Sequence, residues 1–117
     1  MSVEFTIEMM EQKKDHLFVT GIVLSDIASD TTFTELYQAG SHQKSRKKLE
    51  TIELKVESII VDGGSVEAAA ADSAAMLLLS GDFSAVQSQA QALGWRKKSG
   101  RLLRTSDIAL ILTAPDA

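Results

Sequence analysis

Residues 51–81 constrain the fold more than any other part of the chain. Ile52, Leu54 and Val56 alternate with Thr51, Glu53 and Lys55, the period-two pattern of a half-buried strand. A turn follows at Asp62-Gly63-Gly64. An alanine-rich link, Glu67-Ala68-Ala69-Ala70-Ala71-Asp72, then delivers a second strand, Met76-Leu77-Leu78-Leu79, which ends at Ser80-Gly81. The stretch argues for a small β-barrel and carries no catalytic group.

The remaining segments read in the same way. Val3, Phe5, Ile7 and Met9 alternate with Ser2, Glu4, Thr6 and Glu8, so this period predicts that Met9 shares the buried face. Glu11 to Asp15 is a polar turn, and Leu17 to Leu24 is a strand rich in β-branched residues. Gly21 inside that strand predicts a bulge or a close backbone approach. Asp26 to Asp30 reads as a turn and Thr31 to Tyr37 as a third strand. Residues 38–49 are polar and basic without periodicity, which predicts a long loop. Phe83, Val86, Ala90 and Leu93 form one stripe at helical spacing, with Asp82 as the cap and Gly94 at the C-terminal stop. Trp95 to Arg104 reads as a basic hairpin turning at Ser99-Gly100. Ile108 to Leu112 is apolar at both parities, so it is either buried on both faces or an edge covered by the helix. Pro115 falls in the tail beyond it.

Short strands and turns without a βαβ rhythm predict an all-β domain, residues 1–117. The expected form is a mainly antiparallel β-barrel of six or seven strands with one α-helix in the C-terminal half. The length of 117 residues suits one domain. With no cysteine, disulfides and thiolate metal sites are excluded. The N-terminus lacks the basic and apolar regions of a signal peptide, and apolar runs are far short of a membrane span, so the expected setting is cytoplasmic with no membrane partner.

The net charge of −4 argues against general attraction to nucleic acid, and no DNA partner is expected. Nine of the twelve Lys and Arg residues nevertheless fall in two segments. The first is Lys44, Arg46, Lys47 and Lys48; the second is Arg96, Lys97, Lys98, Arg101 and Arg104. If these meet in space, an acidic protein carries one positive face.

The order of motifs resembles the second domain of translational GTPases, the elongation-factor-Tu-type β-barrel. That module opens with Phe-x-Ile, continues with Val-Thr-Gly-x-Val, and later has Ile-x-x-Ile, Ala-x-Ala-Gly-Asp and a strand closing on a small residue and glycine. The matching pieces are Phe5-Thr6-Ile7, Val19-Thr20-Gly21-Ile22-Val23, Val56-Glu57-Ser58-Ile59, Ala69-Ala70-Ala71-Asp72 and Met76 to Gly81. The resemblance covers residues 3–81 and implies a translation-protein barrel without its GTPase domain. The chain departs from it at Ser25-Asp26 and Ser29-Asp30, where the family has glycines, and at Ala71, where it has glycine. No RNA-contact or ribosome-contact residue of the family falls in a matched motif.

Other chemistry is poorly supported. Gly40 to Ser45 ends in Lys-Ser, but a phosphate-binding loop needs glycine where Gln38 and Gln43 stand. His16 and His42 are the only histidines and do not cluster with other ligands, so no metal or cofactor is expected. Ser, His and Asp are present without a nucleophile elbow. Glu53, Lys55 and Glu57 read as a solvated strand face.

The candidate site is therefore a partner-binding one: Lys44, Arg46, Lys47, Lys48, Trp95, Arg96, Lys97, Lys98, Arg101 and Arg104. An aromatic beside cations suits single-stranded RNA or an acidic protein. The competing reading is an edge hairpin whose charges prevent sheet association, with Trp95 packed under the helix. The expected function is a non-catalytic binding or adaptor module, not an enzyme. The alternatives are a structural subunit, or homo-oligomer, joined through strand edges such as Ile108 to Leu112, or an accessory subunit of an enzyme.

Overall fold

Period-two alternation in most of the long segments leaves an apolar face on each, and a ring of strands buries these faces at once. The computed structural model describes residues 2–40, 47–105 and 107–115. In chain order the elements are β1 (Ser2–Lys13), β2 (His16–Val23), β3 (Ile27–Ala28), β4 (Thr32–Ala39), β5 (Lys47–Val61), β6 (Gly64–Val66) and β7 (Ala68–Ala69). They continue with β8 (Ala74–Gly81), α1 (Ser84–Ala92), β9 (Arg96–Lys98), β10 (Arg101–Leu103) and β11 (Ala109–Pro115). Strand makes up 66% and helix 8%, which establishes the all-β class.

The ring runs β1-β2-β8-β5-β4-β11 and closes where β11 returns to β1, with every pairing antiparallel. The barrel thus has six strands. Its interior is filled by alternate side chains, among them Phe5, Leu17, Val19, Leu54, Leu77 and Leu110, each fully buried. Two accessory pieces extend the ring. The β9–β10 hairpin continues the sheet beside Met9, Met10 and Glu11 of β1. Strand β6 folds back on the end of β5, and β3 with β7 forms a separate two-stranded ribbon.

The alternation expected in β1 fails at one point. Ile7 pairs with Gly21 and Met9 with Thr20, so Glu8 is an extra, bulged residue. The bulge reverses the parity beyond it, and Met10 is buried at 1% exposure while Met9 turns outward. Gly21 is required here: a Cβ on it would stand 1.8 Å from the Thr6 carbonyl oxygen. Gly81, at φ +119°, meets a similar constraint, since its Cβ would lie 2.5 Å from the carbonyl oxygen of Glu53.

Other sequence readings are adjusted by pairing. The expected loop 38–49 is shortened from both ends, because Gln38 pairs with Lys47 and Tyr37 with Lys48. The turn 26–30 contains β3, whose Ile27 is buried at 2%. Strand β11 is not an edge: β1 takes one side and β4 the other. Its residues from Ala109 to Ala114 are buried on both faces, and Pro115 ends the strand opposite Ser2. An oligomer joined through the edge of Ile108 to Leu112 therefore has no free edge to use.

Helix α1 packs Val86 and Ala90 into the core, with Phe83 beside them. Asp82 accepts the backbone N–H and the hydroxyl of Ser84 at 3.1 and 2.7 Å, one residue ahead of the helix cap position. Those bonds, the hydroxyl's first, hold the Asp82 carboxyl below the ordinary aspartate range. At the other end, Gly94 N–H bonds Gln91 and Trp95 N–H bonds Ala90, the paired bonds of a Schellman stop.

Gly21→Ala is expected to destabilise the protein by at least about 2 kcal/mol, because backbone must move to admit the methyl group. Gly64→Ala, whose added Cβ has no neighbour nearer than 3.8 Å, should stay within about 0.5 kcal/mol of the parent. Urea titrations of the two variants check both values.

Candidate interaction surface

The two basic segments take different places in the barrel. Lys44 and Arg46 lie outside the described residues, as does His42. Lys47 and Lys48 begin β5 and are exposed. Arg96, Lys97 and Lys98 form β9, all exposed, and Arg101 begins β10. By the pairing register, Lys48 and Arg101 are separated laterally by about two strand spacings, since β10 pairs on the same side of β1 as β11, and by several residues along the sheet. That separation is on the order of 20 Å at strand spacings of ~4.8 Å and ~3.4 Å per residue. Lys48 and Arg101 are therefore not adjacent.

Local chemistry divides the cations further. Lys48 Nζ lies 3.0 Å from Glu35 Oε2, which also accepts the Tyr37 hydroxyl at 3.3 Å. The Lys48 hydrogen bond holds the Glu35 carboxyl below the ordinary glutamate range, against a smaller upward effect of burial. The same bond, with the charge of Glu35, raises Lys48 above the ordinary lysine value. Arg104 Nη1 reaches both oxygens of Glu8 at 3.1 and 3.3 Å, and its Nη2 donates to the Asp107 carbonyl. Arg101 Nε lies 3.7 Å from Glu11, which Lys13 also approaches at 3.9 Å. Arg96, Lys97, Lys98 and Lys47 have no carboxylate partner among the described residues.

Trp95 is 4% exposed and belongs to the core cluster. Of the two readings open to it, packing beneath the helix is the one the fold adopts. Its indole faces are covered, so it offers no stacking surface beside the cations. Its Nε1 has no hydrogen-bond partner among the described residues, as is also true of the Thr113 hydroxyl. The hairpin itself turns as expected, with Ser99 and Gly100 both at positive φ, the conformation of a two-residue type I′ loop. Cross-strand partners share a face. Lys97, opposite the buried Leu102, is therefore on the helix side, where it lines a small cleft with Met10, Gln87 and Gln91. Arg96 and Lys98 stand on the other, outer face with Leu103 and Arg101.

That outer face also carries an apolar row. Paired positions Leu103, Met9, Thr20, Met76 and Ile60 make one row across β10, β1, β2, β8 and β5. Phe18 and Leu78 stand in the next row. All are half-buried, and none belongs to the core cluster or packs against it. The signal was present in Leu17-Phe18-Val19 and Met76-Leu77-Leu78-Leu79, which are apolar at both parities as Ile108 to Leu112 is.

Among the described residues no group of three or more His, Asp or Glu is placed to hold a metal ion. No helix among them is long and apolar enough to cross a membrane. Comparison with protein-family models, curated proteins and solved structures finds no match to the chain.

Lys48→Met is expected to return Glu35 to the ordinary glutamate range, read as an upward shift of its carboxyl titration by NMR. An unshifted titration would count against the pair. Because the folded pKa of Glu35 is lowered, the pair's contribution exists above the unfolded glutamate value near ~4.3 and is lost as pH falls through the lower folded value. On the alkaline side it is lost as pH rises through the raised Lys48 value.

Proposed function

We propose that this chain is a non-catalytic binding module that engages an acidic partner, RNA or protein, through the β9–β10 hairpin. The observation that carries the reading is the uneven neutralisation of its cations. Lys48, Arg101 and Arg104 each have a carboxylate, whereas Arg96, Lys97 and Lys98 stand consecutively with none among the described residues. Among the described residues strand β9 pairs only with β10, and it is three residues long. So short an edge is already a poor template for another strand, and edge protection leaves most of this charge unexplained.

The module reads as a relative of the translation-factor barrel, acting in the cytoplasm. In support, the motifs of the resemblance are adjacent in the ring: Phe5 pairs with Val23, Ile7 with Gly21 and Ile59 with Leu77. The turn at Asp72 returns to β2, its N–H bonding the Val23 carbonyl at 2.6 Å.

The test is affinity against salt for a single-stranded RNA and for an acidic polypeptide, with the parent and with Arg96, Lys97 and Lys98 changed to Gln. The triple variant should bind at least about tenfold more weakly at low salt. For RNA, its log–log salt slope should fall by about 2, at ~0.7 for each phosphate that a cation no longer neutralises. Equal affinity of parent and variant for both ligands would sink the reading.

A further inference from the structure

We infer that the partner is a protein segment, acidic and amphipathic, and that it is held across the outer face of β10, β1, β2 and β8 as well as by the basic hairpin. This rests on the binding role proposed for β9–β10 and names the partner it takes.

Two observations converge on that face. The first is its apolar content. Leu103, Met9, Met76 and Ile60 lie along one cross-sheet row, with Phe18 and Leu78 beside them, on the solvent side of a barrel whose interior is filled by other residues. From β10 to β5 the row spans four strand spacings, about 19 Å at ~4.8 Å each. Two of its members are methionines, whose flexible side chains adapt to a docked surface. The second observation is the sign of the charge that borders it. Arg96 continues the apolar row beyond Leu103, Lys98 continues the next row beyond Arg101, and Lys13 holds its ammonium 5.3 Å from the centre of the Phe18 ring. Glu11, the carboxylate within this border, is already shared between Lys13 and Arg101.

An apolar row ending in cations that have no carboxylate among the described residues is complementary to a segment with apolar side chains on one face and carboxylates at one end. RNA matches the cations but not the row. It would need several exposed rings for its bases to stack on, and with Trp95 buried this face offers one half-buried ring, Phe18.

The experiment measures binding of three labelled probes by fluorescence anisotropy. The first is an amphipathic Leu/Glu peptide of about 18 residues, long enough as a helix at ~1.5 Å per residue to cover the row. The others are polyglutamate and a single-stranded oligonucleotide of matched charge. Met9→Gln with Met76→Gln removes apolar contact from two half-buried outward positions, and unchanged thermal melting verifies that the variant is folded.

The expected result is that the Leu/Glu peptide binds at least about tenfold tighter than either other probe, and that the double variant loses about tenfold for that peptide alone. Polyglutamate or oligonucleotide binding as tightly as the Leu/Glu peptide, or a double variant that binds like the parent, overturns the inference. If the Arg96, Lys97 and Lys98 variant still loses affinity in that case, the binding role stands and only the partner class is wrong. If no probe binds the parent, both fall. Self-association of the parent that the double variant abolishes would assign the face to a second copy and overturn the inference as well.

Discussion

The carbonyl of Thr6 occupies the place where a side chain on residue 21 would begin. That approach draws β1 and β2 together beside the bulge at Glu8, and most of the surface follows from it. Ahead of the bulge Phe5 and Ile7 point into the barrel; after it Met10 does, and Met9 and Glu11 point out. The β9–β10 hairpin pairs with β1 only beyond the bulge, so it inherits the reversed parity. Leu102 is therefore buried and Lys97 turns to the helix side, while Leu103, Arg96 and Lys98 face outward. One steric contact thus decides which cations share a face with the apolar row.

The elements were legible wherever side-chain period and turn chemistry act locally. The strands around Phe5, Val19, Leu54 and Leu77, the stripe of α1 and the turns at Asp62-Gly63 and Ser99-Gly100 all follow from residues within a few positions of one another. What was not legible depends on pairing across the chain. Gly21 announced a close approach, but only its partner Ile7 locates the bulge at Glu8 and so the orientation of Met9. Residues 38 and 39 lack any strand period, yet are drawn into β4 because β11 and β5 flank them. For Ile108 to Leu112 the residues alone left two placements open, and the pairing on both sides chose between them.

The candidate site was legible as composition and not as geometry. Counting cations identified the hairpin, but counting cannot show which are neutralised. Glu8, Glu11 and Glu35 are far in sequence from Arg104, Arg101 and, less so, Lys48, and each takes its partner only through strand register. Trp95 shows the same limit. Its position beside Arg96 suggested a stacking pair, but the Schellman stop turns it back beneath α1. What remains outward is a set of cations with no carboxylate partner among the described residues, beside aliphatic and thioether neighbours, a different chemistry from an aromatic platform.

Closure of the ring between β1 and β11 has a kinetic meaning. The strand that completes the barrel is drawn from residues 109–115 and fits between β4 and β1, both of which precede it by most of the chain. Until those residues are in place, the edges of β1 and β4 present unpaired backbone groups across an open seam. The pairings that close it join positions with the largest sequence separations in the protein, which slows folding because loop entropy is lost before the contacts form. During synthesis, β1 to β8 can assemble as an open, curved sheet, but the mature hydrophobic interior is sealed only in the last step.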